Sequence, residues 1–95
     1  MIIIGKQALY DFKDKYADAR SEIESWVADV EAATWATPHD LLADYPHADV
    51  PGHKQAIFDI CGNDYRLWVK VDYERGIVFI KKIGTHKEYD KWDIE

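Results

Sequence analysis

A histidine, a tyrosine and an aspartate stand near the carboxyl end of the chain at helical spacing. Thr85, followed three residues later by Glu88, is the capping-box pattern and predicts a short helix beginning at His86. On that helix His86, Tyr89 and Asp90 are three and four residues apart, so all three fall on one face. An imidazole titrates near neutral pH, and a phenol and a carboxylate beside it can assist proton transfer. This face is therefore the candidate catalytic group.

The elements that must position these side chains follow from the hydrophobic pattern. Helical spacing predicts helices in the first half, and Pro38 directly after Thr37 is typical of a helix start. Alternation with short polar links predicts an antiparallel meander in the second half. The predicted helices extend over 6–16, from Asp18 or Ser21 to 33, and over 38–45. The predicted strands are 1–4, 54–61, 65–72 and 77–83, with a loop over 46–52.

Pairing across the turns of the meander divides its side chains between two faces. It places Asp59 opposite Arg66 and Trp68 opposite Lys81. The apolar face carries Phe58, Ile60, Leu67, Val69, Val71, Val78 and Ile80. The other face carries Asp59, Cys61, Arg66, Trp68, Lys70 and Lys81. We expect an α+β fold of one domain over 1–95, with the N-terminal strand and helices packed on the apolar face of an antiparallel sheet.

The cationic face has two interpretations. Arg66, Lys70 and Lys81 on rigid strands would be preorganised to stabilise a phosphorane-like transition state, and Trp68 would stack on a nucleotide. The simpler interpretation is a solvated sheet face with cross-strand ion pairs, in which Trp68 shields the strands. Charge on an open sheet face is common, so the residues alone favour the simpler one.

The three C-terminal candidates also have more than one interpretation each. His86 is either a general base or acid, or a surface histidine in a first helical turn. Tyr89 either donates a proton or stacks on a base, or packs the helix onto the protein. Asp90 orients His86, pairs with Arg66, or is a surface charge near the chain end.

A metal site is not predicted. His86 and Asp90 supply two ligands at most, and the other three histidines, His39, His47 and His53, lack zinc-like spacing. Cys61 next to Gly62 has the character of a small turn residue, because no histidine lies near it in sequence to activate a thiolate. We therefore expect no metal and no cofactor.

The charge distribution restricts the partners. The net charge of the 95 residues is −6, and residues 1–53 hold four basic and ten acidic groups, whereas 54–95 hold eight of each. Because phosphate-backbone affinity comes from cations, an RNA-directed function requires a local patch in the second half. A single cysteine is typical of a reducing cytosol, and the four apolar residues at the start are too few for a signal or membrane segment. We expect a cytoplasmic protein without membrane contact.

Three runs of residues together carry a family resemblance. They are ICGNDYRL at 60–67, Tyr73-x-x-Gly76 continuing as IVFI to residue 80, and IGTHxEYD at 83–90. The chain resembles the HigB group of type II toxins, relatives of RelE, over nearly its full length. The resemblance implies a RelE/ParE-like fold and a metal-independent enzyme that cleaves messenger RNA on ribosomes. In such enzymes the ribose 2′-hydroxyl attacks the adjacent phosphate and leaves a cyclic phosphate and a 5′-hydroxyl.

The same resemblance implies partners and residue roles. The partner would be a HigA antitoxin, a helix-turn-helix protein that also connects the toxin to operator DNA. Arg66 would stabilise the transition state, and Lys81 would occupy a position that is usually basic. His86, Tyr89 and Asp90 belong to the shared C-terminal motif. Lys54 matches another position that is often basic. Together with Lys70 and Trp68 of the cationic sheet face, it is expected to contact RNA.

The chain departs from the family pattern in three respects, and two of them, the cation missing at position 61 and the acidic charge, favour an alternative function. Cys61 stands where lysine is common, which would remove a cation from the polar face, and Lys82 stands at an apolar position expected on the core face. The chain is also acidic, whereas such toxins are usually basic. The alternative is a non-catalytic module of the same fold, which blocks a protein target as the ParE branch blocks gyrase, or serves only to bind the antitoxin.

Overall fold

The computed structural model describes residues 1–94 and contains a five-stranded sheet with four helices. The strands are β1 (Ile2–Ile4), β2 (Asp49–Gly52), β3 (Gln55–Ile60), β4 (Tyr65–Asp72) and β5 (Ile77–Thr85). The helices are α1 (Lys6–Lys15), α2 (Arg20–Ala32), α3 (Pro38–Asp44) and α4 (His86–Tyr89), with a 3₁₀ turn at Ala17–Ala19 before α2. The predicted helices are therefore confirmed, with ends shifted by one or two residues.

The strands follow the order β1-β5-β4-β3-β2. The meander from β3 to β5 is antiparallel, as predicted, whereas β1 pairs with β5 in parallel. The sheet is therefore mixed, and the N-terminal strand lies at its edge instead of packing on its face with the helices. The predicted loop over 46–52 was also wrong in part, because its last four residues form β2. Pro51 and Gly52 disfavoured a strand there, but an edge strand tolerates both residues.

The helices cover one face of the sheet, as predicted. Leu67, Val69 and Val71 alternate along β4 and are almost fully buried against apolar side chains of α1 and α2, among them Leu9 and Ile23. Alternation places the charged members of the same strands on the opposite face, which no helix of the N-terminal half covers. This open face is where the predicted cations lie.

A bulge in β5 changes the predicted register. Trp68 pairs with Lys82 rather than with Lys81, and the next pair is Val69 with Ile80, so Lys81 is the extra residue. The prediction that Trp68 faces Lys81 was wrong, and so was the assignment of Lys82 to the core face. Both lysines are exposed. A bulge inserts one residue into a strand, and the alternation of apolar and polar residues does not show where. The sequence therefore could not predict this shift in register.

Cys61 does not lie on the open face. It has a positive φ of 54°, its thiol donates to the Asp18 carbonyl at 3.3 Å, and its N–H donates to the Glu22 carboxylate at 2.8 Å. Both partners belong to the helical layer, so the left-handed turn has rotated this side chain away from the cations. Its departure from the family pattern therefore removes no cation from the open face. Burial raises the pKa of the thiol, which makes it a poor nucleophile at neutral pH.

Candidate active site

Helix α4 is held at the end of β5 by the predicted capping box. The Glu88 N–H donates to Thr85 Oγ1 at 3.2 Å, and the Thr85 N–H donates to Glu88 Oε1 at 2.9 Å. The backbone N–H of Thr85 lowers the pKa of Glu88 by stabilising its ionised form. The His86 N–H donates to the Asp64 carbonyl at 2.9 Å, which attaches the helix start to the β3–β4 turn.

The three C-terminal candidates lie together, as their spacing predicted. His86 Nδ1 is 3.6 Å from Asp90 Oδ1, and the His86 and Tyr89 ring centroids are 6.3 Å apart. His86 and Asp90 are exposed, whereas Tyr89 is half-buried. The carboxylate is placed to attract and orient an imidazolium, and the unobstructed imidazole can reach a substrate. The alternative pairing of Asp90 with Arg66 is not observed.

Arg66 reaches the same group from the middle of the sheet. Its guanidinium carbon lies 5.3 Å from the centroid of the Tyr89 ring, a cation–π contact. The Tyr89 ring is thus near both the guanidinium and the imidazole. This contact joins a residue of β4 to a helix more than twenty positions away in sequence. The two candidate catalytic clusters of the sequence are therefore one site.

The guanidinium is fixed by its own surroundings. Arg66 Nε lies 3.1 Å from Asp59 Oδ1, which confirms the predicted cross-strand pair. Nη1 donates to the carbonyls of Asn63 and Tyr65 at 3.1 and 3.2 Å, and Nη2 donates to Asn63 Oδ1 at 3.3 Å. A guanidinium has five N–H donors, so one N–H on Nη2 remains for an anion. The side chain is only 11% exposed, which holds that donor in one direction.

Aromatic rings lie beside the site on the open face. Trp68 is buried and donates its indole N–H to Gln55 Oε1 at 2.7 Å, so it shields the strands and the predicted stacking on a nucleotide is not supported. Trp68 and Trp92 have centroids 6.2 Å apart, and Trp92 meets Tyr89 edge-on at 5.6 Å. Sequence reasoning singled out Trp68 but missed Trp92, although Trp92 follows Tyr89 at a spacing of three. Lys81 Nζ lies 5.9 Å from the Trp68 ring, and Lys82 Nζ lies 5.9 Å from the Trp92 ring. Within residues 1–94 neither lysine pairs with a carboxylate.

Two predicted RNA contacts lie further out. Lys70 is exposed on the open face between Gln55 and Phe79, four residues along β4 from Arg66, or about 13 Å at the usual strand rise. Lys54 is exposed in the β2–β3 turn beside Val71, at the end of the sheet remote from His86. The structure brings neither into the catalytic cluster.

The site as a whole is an open surface with a titratable imidazole, a phenol, a fixed guanidinium and two lysines. These groups can transfer protons and stabilise negative charge on phosphorus. Among residues 1–94 no group of three or more histidine, cysteine, aspartate or glutamate side chains is arranged to hold a metal ion. Over the same residues, no helix has the length and apolar character needed to cross a membrane.

Comparison with known proteins identifies the family of the chain. A sequence model described as HigB_toxin, RelE-like toxic component of a toxin-antitoxin system, matches residues 19–92. The chain is 29% identical over 92 residues to the mRNA interferase toxin HigB of Escherichia coli (strain K12), covering 95% of this chain and 88% of that protein. It is 26% identical over 93 residues to the mRNA interferase HigB of Escherichia coli O6:H1, covering 96% and 90%. The chain therefore belongs to the HigB family, the RelE-like toxic components of toxin-antitoxin systems.

Proposed function

We propose that this toxin is an mRNA interferase, an endoribonuclease that uses the Arg66–Tyr89–His86 cluster and no metal. The observation that carries the proposal is the 5.3 Å contact between the Arg66 guanidinium and the Tyr89 ring. It places a fixed positive charge beside the helix that bears the imidazole. The names of the E. coli relatives support the same activity.

The reaction requires proton exchange at two oxygens. The ribose 2′-oxygen forms a bond to phosphorus while the bond from phosphorus to the 5′-oxygen breaks, which leaves a cyclic phosphate and a 5′-hydroxyl. The 2′-hydroxyl loses a proton and the leaving 5′-oxygen gains one. His86, oriented by Asp90, exchanges one of these protons, and Tyr89 is the neighbouring group able to serve the other. The free N–H of Arg66, together with Lys81, stabilises the charge on the pentacovalent phosphate.

Substrate binding uses the open face beyond the reacting phosphate. The half-buried Trp92 ring offers a stacking surface for a base, and Lys82, Lys70 and Lys54 offer cations for the backbone. Trp68 is buried beneath Trp92 and supports that ring instead of contacting a base itself. Stacking on an aromatic ring tolerates every base, because each base has a π-face. Such a surface suits single-stranded messenger RNA, which we propose is cut on the ribosome.

The antitoxin partner follows from family membership, and its type is part of the proposal. We propose a HigA-type helix-turn-helix antitoxin, which neutralises the toxin and alone mediates contact with operator DNA. The toxin acts in the cytoplasm, where messenger RNA is translated, and requires no membrane.

The test is induction of the toxin in a host without antitoxin, followed by mapping of RNA ends. The wild-type chain is expected to stop growth and to create new 5′-hydroxyl ends in coding regions. His86→Ala and Arg66→Ala are each expected to lower cleavage by about 10²–10³-fold. His39→Ala and Arg75→Ala are the matched controls, since both residues are exposed elsewhere on the molecule. If the wild type leaves messenger RNA intact, or if the controls lose as much activity as the site variants, the proposal is wrong.

The non-catalytic alternative loses one of its supports. It depended partly on a cation missing at position 61, but Cys61 faces the helical layer and never belonged to the open face. The acidic net charge still favours it. Growth arrest by the wild type without new RNA ends would establish the alternative.

A further inference from the structure

We propose that an acidic cavity at the edge of β3 binds a basic, arginine- or lysine-bearing segment of the antitoxin. The cavity has a volume of about 560 Å³ and lies between α2, the α3–β2 connection and β3. Neither His86, Tyr89 nor the lysines of the open face line it. The inference depends on the antitoxin partnership proposed above and is independent of RNA cleavage.

The negative charge of the cavity rim favours a positively charged partner. Glu22, Asp29, Asp44 and Asp59 line the cavity, and no lysine or arginine does so among the described residues. Asp59 is already paired with Arg66, but the other three carboxylates have no ion-pair partner within residues 1–94. Such a rim repels the phosphates of RNA and attracts a guanidinium or ammonium group. The cavity therefore complements a basic protein segment and not the substrate.

The floor of the cavity is aromatic. The Trp26 and Phe58 rings meet edge-on with centroids 5.3 Å apart, and the Tyr45 and Phe58 rings do so at 5.1 Å. Tyr45 donates its hydroxyl proton to Asp29 at 3.1 Å, and its pKa is raised well above the ordinary value by burial, so the phenol stays neutral. Aromatic rings beside carboxylates favour a guanidinium, which combines an ion pair with a cation–π contact.

Unsatisfied backbone and side-chain groups indicate a peptide rather than a small cation. The Nε1–H of Trp26 is buried and has no acceptor among the described residues. β2 pairs with β3 only at Gln55 and Ile57, so among the described residues no strand lies along the side of Phe58 to Ile60 that faces away from β4. Just beyond, the Cys61 N–H is satisfied by a side chain instead of a strand. A bound peptide supplies carbonyl and N–H groups along this edge.

The size of the cavity agrees with a segment of several residues. A volume of about 560 Å³ lies within the range of about 300–1,000 Å³ typical of ligand pockets, and it exceeds the space that one arginine side chain fills. The remaining volume has an apolar lining, with Pro46 and Ile60 beside the aromatic rings. We therefore assign it to a basic residue flanked by apolar residues.

The test measures antitoxin affinity by calorimetry, with the purified cognate antitoxin as the probe. The full-length toxin carries His86→Ala, so that binding is measured without cleavage. Asp29→Asn combined with Asp44→Asn is expected to weaken binding at least about tenfold, because both charges are lost while the amide oxygens still accept hydrogen bonds. The matched control is Asp14→Asn with Glu74→Gln, which changes the net charge equally at exposed positions outside the cavity. The control is expected to bind within about twofold of the parent.

A second pair of variants leaves the buried floor untouched. Ser25 is exposed on α2 and lines the cavity, whereas Ser21 is exposed one turn earlier and does not. Ser25→Lys is expected to weaken antitoxin binding about tenfold by placing a cation at the rim, and Ser21→Lys is expected to have little effect. Thermal melting of each variant confirms folding.

The outcomes separate clearly. Loss of affinity in the cavity variants alone supports the proposal, and it does so even if no variant cleaves RNA. Equal loss in cavity and control variants indicates general electrostatic attraction and overturns it. Unchanged affinity in the cavity variants, or an antitoxin that fails to bind the parent toxin, overturns it as well.

Discussion

At the scale of single residues, the site depends on how Arg66 is held. Asp59 and Asn63 engage most of its donors, so the guanidinium has little freedom left to lose when it meets a phosphate. Electrostatic stabilisation is most effective when the charge is fixed before the reaction begins. The cross-strand ion pair of the simpler interpretation is present, and the guanidinium contacts the ring of Tyr89 as well.

Replacing Arg66 by lysine tests this arrangement. Lysine keeps the charge but has no planar fork, so it cannot contact Asp59, Asn63 and a phosphate together. We expect Arg66→Lys to lower single-turnover cleavage of an RNA oligonucleotide by about 10²-fold. Arg75→Lys, at an exposed arginine of the β4–β5 turn, is expected to leave the rate unchanged. A variant Arg66→Lys with near wild-type rate would show that charge alone suffices.

The contact between His86 and Asp90 is expected to contribute little. Both side chains are more than half exposed, and an exposed ion pair at 3.6 Å is worth at most about 1 kcal/mol. Asp90→Asn is therefore expected to reduce cleavage less than about fivefold, measured beside His86→Ala in the same assay. A loss of a hundredfold or more would mean that Asp90 itself takes part in proton transfer.

At the scale of elements, the short helix α4 cannot be stable alone. A helix of four residues is far below the length at which helices form in water. Its position is fixed by the capping box, by the hydrogen bond from His86 to Asp64, and by close packing of Glu88 and Trp92 on Gly84. Through these contacts the end of β5 determines where the imidazole lies.

The packing on Gly84 is tight enough to test. A Cβ at this position would lie 3.0 Å from Trp92 Cζ2 and 3.3 Å from Glu88 Cβ. Gly84→Ala is therefore expected to push Trp92 and α4 outward, at a cost of about 1–3 kcal/mol in stability. Cleavage should fall about tenfold or more, and tryptophan emission should shift to longer wavelength. The control is Gly76→Asn, in a turn where an added Cβ meets no atom within 4 Å and asparagine tolerates the positive φ. Unchanged emission and activity in Gly84→Ala would contradict the packing.

The capping box predicts how acid affects the helix. The pKa of Glu88 is lowered in the folded protein, so its contribution to stability is present above the ordinary pKa of about 4.3 and is lost as pH falls through the lowered value. Glu88→Gln keeps an acceptor for the Thr85 N–H but cannot titrate. The difference in the free energy of unfolding between wild type and variant should therefore shrink on acidification from pH 6 to pH 3, as followed by urea titration. A constant difference would exclude this linkage.

At the scale of the whole molecule, the charges are divided between two surfaces. The open face carries Arg66 and three lysines, Lys70, Lys81 and Lys82, that pair with no carboxylate within residues 1–94, while the acidic excess lies in the N-terminal half. An acidic protein can therefore still bind RNA locally, because screening in physiological salt limits the reach of the distant carboxylates to about 8 Å. The same division leaves the opposite edge suited to a basic partner.

Salt dependence measures how many cations contact the RNA. If Arg66, Lys70, Lys81 and Lys82 all contact phosphates, the slope of log K against log salt should be about −3 for single-stranded RNA. Lys82→Gln should reduce its magnitude by about 0.7. The measurement uses the His86→Ala chain, and Arg75→Gln is the control. A slope near zero would show that the open face is not the binding surface.

Much of the fold and part of the site could be predicted from the sequence, because these features depend on residues close together in the chain. The helix starts, the antiparallel meander, the Asp59–Arg66 pair and the capping box at His86 were predicted, because each follows from the spacing of neighbours or from a short turn. The errors in the predicted faces of Lys82 and Cys61 occurred where residue spacing does not determine the backbone conformation. The bulge moved Lys82 to the open face, and a left-handed turn moved Cys61 to the helical layer.

The sequence by itself determined which chemical groups are available and on which element each one lies. Only the tertiary structure decided that the guanidinium of Arg66 and the ring of Tyr89 meet, that Trp92 joins Trp68, and that the carboxylates of α2 and α3 surround one cavity. The physical reason is that periodicity encodes the face of an element but not the distance between elements. That distance is set by packing, where one bulge or one left-handed turn moves a side chain to another face of the sheet.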